Sequence, residues 1–516
     1  MRQMSLGNLK KVCGGELFLP DPGTDGGRII ADRLSVTEET QITCAVLDSR
    51  LIEPGGLFFA VKGERTDGHQ FILSVFEKEA SCVVTEKTPQ EVEEEYGTPS
   101  SRWGAYLLVE DSLLALKQAA EFYRRALHIP VVGITGSVGK TSTKEFVAAV
   151  LSEKYKVLKT EGNYNNEIGL PLTLLRIRDY HEAAVVEMGI SDFGEMSRLG
   201  RIARPDICVI TNIGQCHLEN LKSRDGILRA KTEIFEYLSP EGKVCLNGDD
   251  DKLSAITQVK GRIRPRFFGI GAGTEPRKEV YLSDVVSKGL LGSDGILHMR
   301  TRDAEGEDAV PVHVALSGED LPGEQESAVF VHIPLPGEHM VRNAAAAACV
   351  GGCLALAPEQ IAEGLAKVLP LGGRGSLIPL PCGTLIDDCY NANPISVKAS
   401  IDLLATVDTF KTAILGDMLE LGEHSGEMHR DVGKYAAQTG LDEIICIGEN
   451  AKQIYEGAAA EETPNGKRSY YPTKQAFLRK LSETPGLVQR AKENTILVKA
   501  SHGMGFAEIV DALRAD

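Results

Sequence analysis

The stretch 131-VVGITGSVGKTS-142 carries the strongest structural signal in the chain, an apolar run that leads through a glycine-rich turn into Gly139-Lys140-Thr141. The apolar run predicts a buried strand, and the apolar residues after Thr141 recur with helical spacing. A turn between such a strand and such a helix aims backbone N–H groups and a helix N-terminus at an anion. Lys140 is expected to reach the outer phosphates and Thr141 to ligate Mg²⁺. The stretch therefore predicts binding of a nucleoside triphosphate.

The glycines of this turn do not follow the strict phosphate-loop pattern G-x-x-x-x-G-K-[ST]. Ile134 stands where that pattern requires its first glycine, and the glycines fall instead at Gly133, Gly136 and Gly139. An ordinary glycine-rich strand–helix turn is the alternative interpretation. The Gly-Lys-Thr sequence at the start of the helix favours the phosphate loop, here taken as residues 135–142.

The length of 516 residues predicts about three domains of ~150 residues each. We place their boundaries so that the domains are 1–105, 106–372 and 373–516. From about residue 106 onwards strand-like runs alternate with helical segments, which predicts parallel α/β layers. A polar stretch at 301–327, rich in Gly, Glu and Asp, is the best candidate for an insertion loop.

The composition excludes several classes of protein. A formal net charge of −17 argues against nucleic acid or an anionic membrane as a partner. The eleven cysteines include no C-x-x-C pair, which argues against a disulfide framework and a zinc ribbon and fits a reducing cytosol. No apolar run reaches the ~18 residues of a membrane span. We expect a cytoplasmic protein that captures anionic substrates with local cationic groups and helix termini.

Two candidate metal ligands follow strands of the central region. Glu187 ends the buried run Ala183-Ala-Val-Val-Glu187, where a carboxylate is costly unless it is paired or bound to a metal. Metal ligation is favoured there, with a capping or salt-bridge role as the alternative. His217 follows the next strand, and a lone histidine is usually structural. Lys231 belongs to an amphipathic helix, and the pattern alone favours a solvated surface charge.

A dense polar loop lies between the phosphate loop and Glu187. Asn163, Asn165 and Asn166 fall within four positions, beside Gly162 and Gly169. Such residues often form simple turns, because asparagine tolerates left-handed backbone. Their amides also offer many donors and acceptors to a polar ligand.

Taken together, these residues resemble the Mur ligase family, the ATP-dependent amide-forming enzymes of bacterial cell-wall precursor synthesis. The resemblance spans nearly the whole chain. It implies an α/β fold of three domains: a small N-terminal UDP-binding domain, a central P-loop ATPase-like parallel sheet with helices on both faces, and a C-terminal Rossmann-like domain. The ATP-binding residues that it implies are Thr135, Gly136, Ser137, Val138, Gly139, Lys140, Thr141, Ser142, Asn343, Arg374, Asp388 and Tyr390.

The resemblance also changes the interpretation of the central residues. It places Mg²⁺ ligands at Thr141, Glu187 and His217, and a carbamylated lysine, N6-carboxylysine, at Lys231. A carbamate would turn this cation into an anionic ligand, provided the site lowers the pKa of the amine by desolvation. Asn343 falls in the His339-x-x-x-Asn343 helix that holds adenine in the family; an Ala-rich core helix is the alternative. Catalysis is expected from Lys140, Lys231 and Arg374.

Further motifs concern the substrates. Asp48-Ser49-Arg50 and Gly63-Glu-Arg-Thr-Asp67-Gly-His69 resemble the UDP-sugar-binding domain of members that take longer peptide precursors. At the other end, Lys499-Ala-Ser501 matches the family's Lys-Gly-Ser, with Ala500 in place of glycine. The substrate-binding residues implied are Ser49, Arg50, Asp67, His69, Asn163, Asn165, Asn166, Asp417, Lys499 and Ser501.

Two C-terminal runs, 387-DDCYNANP-394 and 415-LGDMLELG-422, are typical of members that add a D-alanyl-D-alanine dipeptide. The resemblance thus implies ATP-dependent joining of that dipeptide to a UDP-N-acetylmuramoyl-tripeptide through an acyl phosphate. Only small-molecule partners and a monomer are expected. The alternatives are a sister ligase that adds one amino acid, a folylpolyglutamate-type ligase, a P-loop kinase or ATPase, and the Mur-like subunit of a glutamine amidotransferase. That last protein is expected to carry a four-cysteine zinc insert, and the chain has no C-x-x-C pair.

Overall fold

Three sheets follow one another along the chain in a computed structural model that describes residues 1–20, 36–64, 66–97, 99–273, 276–300, 326–381, 383–461, 466–484, 486–488 and 493–515. Helices cover these sheets, so the predicted three-part α/β fold is confirmed. Of the predicted insertion loop at 301–327, all but its last two residues lie outside the described residues.

The first sheet has five strands in the order β1-β5-β4-β3-β2. The strands are β1 (Glu16–Phe18), β2 (Ala45–Val46), β3 (Leu57–Phe59), β4 (Cys82–Thr85) and β5 (Ala105–Leu108), and the helices are α1 (Leu6–Cys13), α2 (Ile72–Glu77) and α3 (Pro89–Tyr96). All pairs are parallel except β1 with β5. The boundary predicted after residue 105 therefore needs correction, because it cuts β5, which pairs with β4 in this sheet.

The central sheet has nine strands in the order β14-β13-β12-β11-β10-β9-β6-β8-β7. The strands are β6 (Val131–Thr135), β7 (Val157–Lys159), β8 (Ala183–Glu187), β9 (Ile207–Ile210), β10 (Lys243–Asn247), β11 (Arg266–Ile270), β12 (Val280–Ser287), β13 (Ser293–Arg300) and β14 (Glu326–Ile333). The expected parallel sheet extends from β7 to β12. The antiparallel strands β13 and β14 extend it at one edge, which the α/β alternation did not predict.

Helices cover both faces of the central sheet, as predicted. They are α4 (Ser112–Arg125), α5 (Lys140–Ser152), α6 (Gly169–Leu175), α7 (Glu195–Ala203), α8 (Leu218–Leu221), α9 (Arg224–Thr232), α10 (Glu338–Cys353) and α11 (Pro358–Ala366). Alternate residues of β8 enter two different hydrophobic clusters, Ala184 and Val186 in one and Ala183 and Val185 in the other. A parallel strand buried on both faces reads as a continuous apolar run, which is why the sequence signal here was clear.

The third sheet has six strands in the order β15-β16-β20-β17-β18-β19, all parallel except β15. The strands are β15 (Ser376–Leu380), β16 (Gly383–Asp387), β17 (Phe410–Gly416), β18 (Glu443–Ile447), β19 (Lys467–Tyr471) and β20 (Asn494–Lys499). The helices are α12 (Pro394–Ala405), α13 (Ser425–Gln438), α14 (Ala451–Ala459), α15 (Lys474–Glu483) and α16 (Ala507–Ala515). This sheet too is buried on both faces, since Ile414 and its neighbours Ala413 and Leu415 enter different clusters.

The strand order of the central sheet determines where a ligand can bind. Strands β10, β9, β6 and β8 are consecutive neighbours and mutually parallel, so their carboxyl ends share one edge. The phosphate loop, Glu187, Asn212 and Asn247 lie at those ends. Ligands of open α/β sheets bind at this edge. No helix within the described ranges is long and apolar enough to cross a membrane.

Candidate active site

A cavity of about 860 Å³ lies between the central and third sheets. Its size suits a nucleotide together with part of a second ligand. The predicted site residues that line it are Ser137, Val138, Gly139, Lys140, Thr141, Ser142, Asn163, Asn165, Asn166, Glu187, His217, Asn343, Arg374, Asp388, Tyr390 and Lys499. The structure thus brings residues from both halves of the sequence to one surface.

Contacts with the end of β9 fix the shape of the phosphate loop. The Val138 N–H donates to Asn212 Oδ1 at 3.0 Å, and the Thr211 hydroxyl donates to Val138 O at 2.6 Å. Gly136 has φ +153°, and a Cβ atom on it would lie 1.9 Å from Thr211 Oγ1. Only glycine fits where the backbone approaches a neighbour this closely. Thr135 and Gly136, the first two residues of the loop, do not line the cavity, so their contribution to ATP binding stays a prediction.

The N-terminus of α5 supplies donors to the cavity. Its first helical hydrogen bond runs from the Thr143 N–H to Gly139 O at 2.8 Å. The N–H groups of Lys140, Thr141 and Ser142 therefore have no acceptor within the helix, and such groups bind anions. The Lys140 ammonium donates to Gly136 O at 2.9 Å, which folds the cation over the same loop. The loop is built to receive phosphate oxygens.

Glu187 and Thr141 form an oxygen-rich group beside this helix. The Thr141 hydroxyl donates to Glu187 Oε2 at 2.7 Å, and Asn165 Nδ2 donates to Glu187 Oε1 at 2.8 Å. Glu187 is only 2% exposed. Hydroxyl and carboxylate oxygens are the ligands that Mg²⁺ uses beside nucleotide phosphates, so these two residues fit that ion.

Lys231 lies inside the protein, not on its surface. Its side chain is 1% exposed, so the interpretation as a solvated charge is wrong. Burial lowers the pKa of its amine to about 8; Cys216 opposes this shift and the Lys140 charge adds to it. Lys231 does not line the cavity, but its positive charge and that of Lys140 repel each other. The burial that a carbamate requires is therefore present.

His217 faces a carboxylate of the third sheet's region. Its Nδ1 atom lies 2.8 Å from Glu420 Oε2, and the hydrogen bond lowers the pKa of Glu420. The residue has a left-handed backbone, with φ +49°, at the turn before α8. His217 lines the cavity, but the partner that the structure gives it is Glu420. Its role as a metal ligand stays a prediction.

Asn343 lies beside the phosphate loop, and the cavity is also lined by residues that the sequence did not single out. The Asn343 side chain is 6% exposed, accepts the Thr143 hydroxyl of α5 at 3.0 Å and packs against Gly139 of the loop. Asn212, Asn247 and Phe268 also line this region and were missed. A signal existed for the two asparagines, because Asn212 closely follows β9 and Asn247 ends the adjacent β10.

The third sheet contributes a cationic and aromatic wall. The Arg374 guanidinium lies 3.9 Å from the centre of the Tyr390 ring. The Asp388 Oδ2 atom accepts Lys499 Nζ at 2.6 Å and the Ser400 hydroxyl at 2.6 Å. Lys499 is 2% exposed, and the Asp388 carboxylate balances its buried charge and holds its ammonium group in place. Asp388 and Tyr390 both line the cavity, and contact of Asp388 with a ribose and of Tyr390 with a base stays a prediction.

Asp417 and Ser501 are not brought to the cavity. Asp417 Oδ1 accepts the Ala451 N–H at 2.6 Å and so caps the start of α14. The Ser501 hydroxyl oxygen accepts the Leu419 N–H at 2.9 Å. Both side chains order the loops at the ends of β17 and β20. Direct contact of either one with substrate stays a prediction that this geometry does not support.

The four predicted residues of the first region lie away from the cavity. Arg50 is largely exposed and pairs with Asp48 at 2.7 Å. Asp67 accepts the Tyr96 hydroxyl at 2.7 Å and contacts His69 Nδ1 at 2.6 Å. Burial raises the pKa of Asp67, but hydrogen bonds from the His69 backbone N–H, the Tyr96 hydroxyl and the His69 ring outweigh it and hold the pKa well below its usual range. His69 is 1% exposed, so its ring contacts Asp67 and not solvent. Ser49 makes a separate contact, in which its carbonyl accepts a hydrogen bond from Lys78 Nζ at 2.9 Å.

Comparison with known proteins defines the class. The Mur ligase middle domain matches residues 134–351, the glutamate ligase domain of Mur ligases matches 373–502, and the catalytic domain of the Mur ligase family matches 41–124. One curated relative is 36% identical over 92% of the chain. The chain belongs to the Mur ligase family, which confirms the family resemblance of its sequence.

That relative is the UDP-N-acetylmuramoyl-tripeptide–D-alanyl-D-alanine ligase of Bacillus subtilis, and the match covers 94% of it. The ligase of the same name from Escherichia coli is 31% identical, with 100% of this chain and 99% of that protein covered. Among solved structures, MurF from Acinetobacter baumannii has a TM-score of 0.79 at 28% identity, with 99% of each chain covered. MurF ligase from Thermotoga maritima in complex with ADP has a TM-score of 0.70 at 26% identity, covering 92% of this chain and 97% of that one.

Proposed function

We propose that the protein is an ATP-dependent ligase that joins D-alanyl-D-alanine to UDP-N-acetylmuramoyl-tripeptide. The observation that carries the proposal is the shared cavity, in which the phosphate loop and Glu187 face Arg374, Asp388 and Lys499. Kinase or ATPase activity would account for the phosphate loop but not for the wall of the cavity that Arg374, Asp388 and Lys499 form. The curated relatives with this activity in their names match the chain almost end to end.

The reaction has two steps. The terminal carboxylate of the tripeptide attacks the γ-phosphorus of ATP, and the bond to the bridging oxygen breaks, which gives an acyl phosphate and ADP. The amine of the dipeptide then attacks the acyl carbon; phosphate leaves and the amine loses a proton as the amide forms. Lys140 and Arg374 neutralise negative charge on the transferring phosphoryl group, where positioning and electrostatics dominate catalysis.

Thr141 and Glu187 would hold a Mg²⁺ ion in this proposal, and His217 would be a further ligand. A bound Mg²⁺ supplies charge neutralisation at the phosphate oxygens. Asn165 keeps the Glu187 carboxylate oriented through its hydrogen bond. The support for this assignment is the contact of the Glu187 carboxylate with the Thr141 hydroxyl, because both groups offer oxygen ligands of the kind that Mg²⁺ binds.

Lys231 carries a carbamate in this proposal. Its neutral amine attacks CO₂, a proton is released, and the cation becomes an anion. Two observations support it: the amine is almost fully buried, and its pKa of about 8 leaves a neutral fraction near pH 7. Mass spectrometry does not preserve carbamates reliably, so ¹³C NMR of protein equilibrated with ¹³CO₂ is the suitable measurement. Loss of the carbamate signal in Lys231→Ala, with other signals retained, is expected.

Each of the three regions has its own part in the proposed reaction. Residues 1–108 bind the UDP-muramoyl-peptide, the central region to residue 372 binds ATP, and residues 373–516 complete the ligase site. In this proposal the nucleotide sugar is bound by the exposed Arg50 and by Asp67, which Tyr96 and His69 hold in place. The protein acts as a monomer in the cytoplasm, where its nucleotide-linked substrates are found, and light scattering coupled to gel filtration tests the oligomeric state.

The substrate pair is the decisive test. Purified protein with Mg²⁺ and ATP should release ADP and phosphate only when both UDP-muramoyl-tripeptide and D-alanyl-D-alanine are present. The product mass should equal the two substrates less one water. Single D-alanine and L-alanyl-L-alanine are the controls, and both should be poor substrates. D-alanine lacks the second residue, and the L,L dipeptide has the opposite configuration, so in each case groups built to pair with the ligand would stay unpaired.

Other outcomes would point to the alternatives. Joining of free lysine or diaminopimelate to a UDP-muramoyl-dipeptide would keep the family and change the member. Phosphoryl transfer without an amide product would instead indicate a kinase. Hydrolysis of ATP with neither substrate would contradict the acyl-phosphate mechanism.

A further inference from the structure

Three buried cysteine thiols converge behind the ATP cavity. Cys245 lies on β10, and Cys349 and Cys353 lie on α10. Their sulfur atoms are all within 4.8 Å of one another, and Cys245 Sγ is 3.8 Å from Cys353 Sγ. The spacing of four residues places Cys349 and Cys353 on the same face of the helix. The three side chains are at most 4% exposed.

The Cys245–Cys353 sulfur separation of 3.8 Å matches that of two ligands of a metal site. With metal–sulfur bonds of about 2.3 Å, two ligands lie about 3.8 Å apart in a tetrahedron and about 4.0 Å apart in a trigonal plane. Thiolates are soft ligands that select Zn²⁺ and Cu⁺ and do not suit Mg²⁺. In the part of the chain that the structure describes, these three cysteines place their sulfur atoms close enough together to share one ion.

Two cationic side chains, Arg266 and Lys243, interact electrostatically with Cys353. The Lys243 ammonium also donates to the Cys353 carbonyl. Three thiolates around a divalent ion leave one negative charge, which these two cations would offset.

We propose that Cys245, Cys349 and Cys353 bind a thiophilic metal ion with a filled d shell, Zn²⁺ or Cu⁺, as three thiolates. Three metal–sulfur bonds form and the remaining thiol protons leave to solvent, with no change of oxidation state. The site is separate from the Mg²⁺ site of the proposed function and does not depend on it.

The position of the site indicates what the ion does. Strand β10 ends at Asn247 and helix α10 carries Asn343, and both asparagines line the cavity. Cys349 is six residues beyond Asn343, about 9 Å along the helix. An ion held between β10 and α10 would tie together the two elements that support this end of the ATP site. It is therefore a structural tie, not a catalytic centre.

The test is a metal titration of the full-length protein. Protein treated with chelator and reductant is titrated under anaerobic conditions with Cd²⁺, a spectroscopic substitute for Zn²⁺, and separately with Cu⁺. We expect an ultraviolet thiolate-to-metal charge-transfer band that saturates at one equivalent, release of protons, and a higher midpoint of thermal unfolding. Competition with Zn²⁺ then distinguishes the two natural ions.

Cysteine variants identify the ligands. Cys353→Ser and Cys245→Ser should each weaken binding by at least about 100-fold, because even partners outside the coordination sphere contribute 10- to 100-fold. The matched control is Cys446→Ser, a fully buried cysteine on β18 of the third sheet, which should bind normally. Should the serine variants not fold, the titration and melting shift of the unchanged protein still decide the question. Absence of a saturable band, an unaltered band in both ligand variants, or a Cys245–Cys353 disulfide in place of metal would overturn the proposal.

Discussion

Replacing Lys140 with methionine removes the cation of the phosphate loop and keeps most of its aliphatic stem. Two unit charges about 4 Å apart at an effective dielectric constant of about 20 interact by about 4 kcal/mol. If that interaction is realised as the γ-phosphoryl group departs, turnover falls by about 10³-fold, at 1.36 kcal/mol per decade. The stability cost is small. The variant loses the hydrogen bond from Nζ to Gly136 O, about 1 kcal/mol, and relieves a cation at the N-terminus of α5.

The assay is ADP release in a coupled reaction with saturating substrates, combined with single-turnover measurement of acyl phosphate formation. Lys154→Met is the matched control, since Lys154 is an exposed residue just beyond the same helix and its ammonium donates to Ala355 O at 3.0 Å. Thermal unfolding of both variants should stay within a few degrees of the parent protein. A folded Lys140→Met protein with turnover within tenfold of the parent would refute the assignment of the loop.

Three further predictions test other parts of the structure. Lys231→Ala should lose activity and recover part of it with added formate or acetate, which Lys140→Met should not; full activity without rescue would exclude the carbamate. Gly136→Ala should abolish ADP binding measured by calorimetry, because its Cβ would lie 1.9 Å from Thr211 Oγ1, whereas Gly426→Ala, in open space, should bind ADP normally. Asp67→Asn should lower stability fully above about pH 4 and progressively less as pH falls below that, since a carboxylate with a depressed folded-state pKa stabilises above its unfolded pKa and loses that effect as pH falls towards its folded-state pKa. Equal denaturant midpoints for Asp67→Asn and the parent at pH 7 would contradict that reasoning.

The motifs that the sequence predicted correctly are short and local. The strand–turn–helix around Lys140 follows from apolar spacing and glycine placement within a dozen residues, although contacts with Thr211 and Asn212 fix the shape of its turn. Glu187 was found for a similar reason, since a carboxylate at the end of an apolar run stands out in any sequence. The parallel arrangement of β6, β8 and β9 then brings both to one edge.

The features that the sequence did not place correctly depend on contacts between distant parts of the chain. Asp417 lies in a motif of the family, but its carboxylate is used at the start of α14, 34 residues further along. The boundary at residue 105 was misplaced because the pairing of β5 with β4 is a long-range contact that no local pattern reveals. The extra strands β13 and β14 flank a polar stretch and likewise depend on pairing along an edge.

The sequence by itself determined the phosphate loop, the α/β alternation and the family, because backbone conformation and strand–helix periodicity are encoded within a few turns of chain. Tertiary structure alone decided that Lys231 is buried, that Lys499 pairs with Asp388 across 111 positions, and that Cys245 meets Cys353 across 108. The physical reason is that the pKa, charge and ligand capacity of a side chain depend on the groups packed around it. Those groups come from distant parts of the chain, and only the packed sheets and helices bring them together.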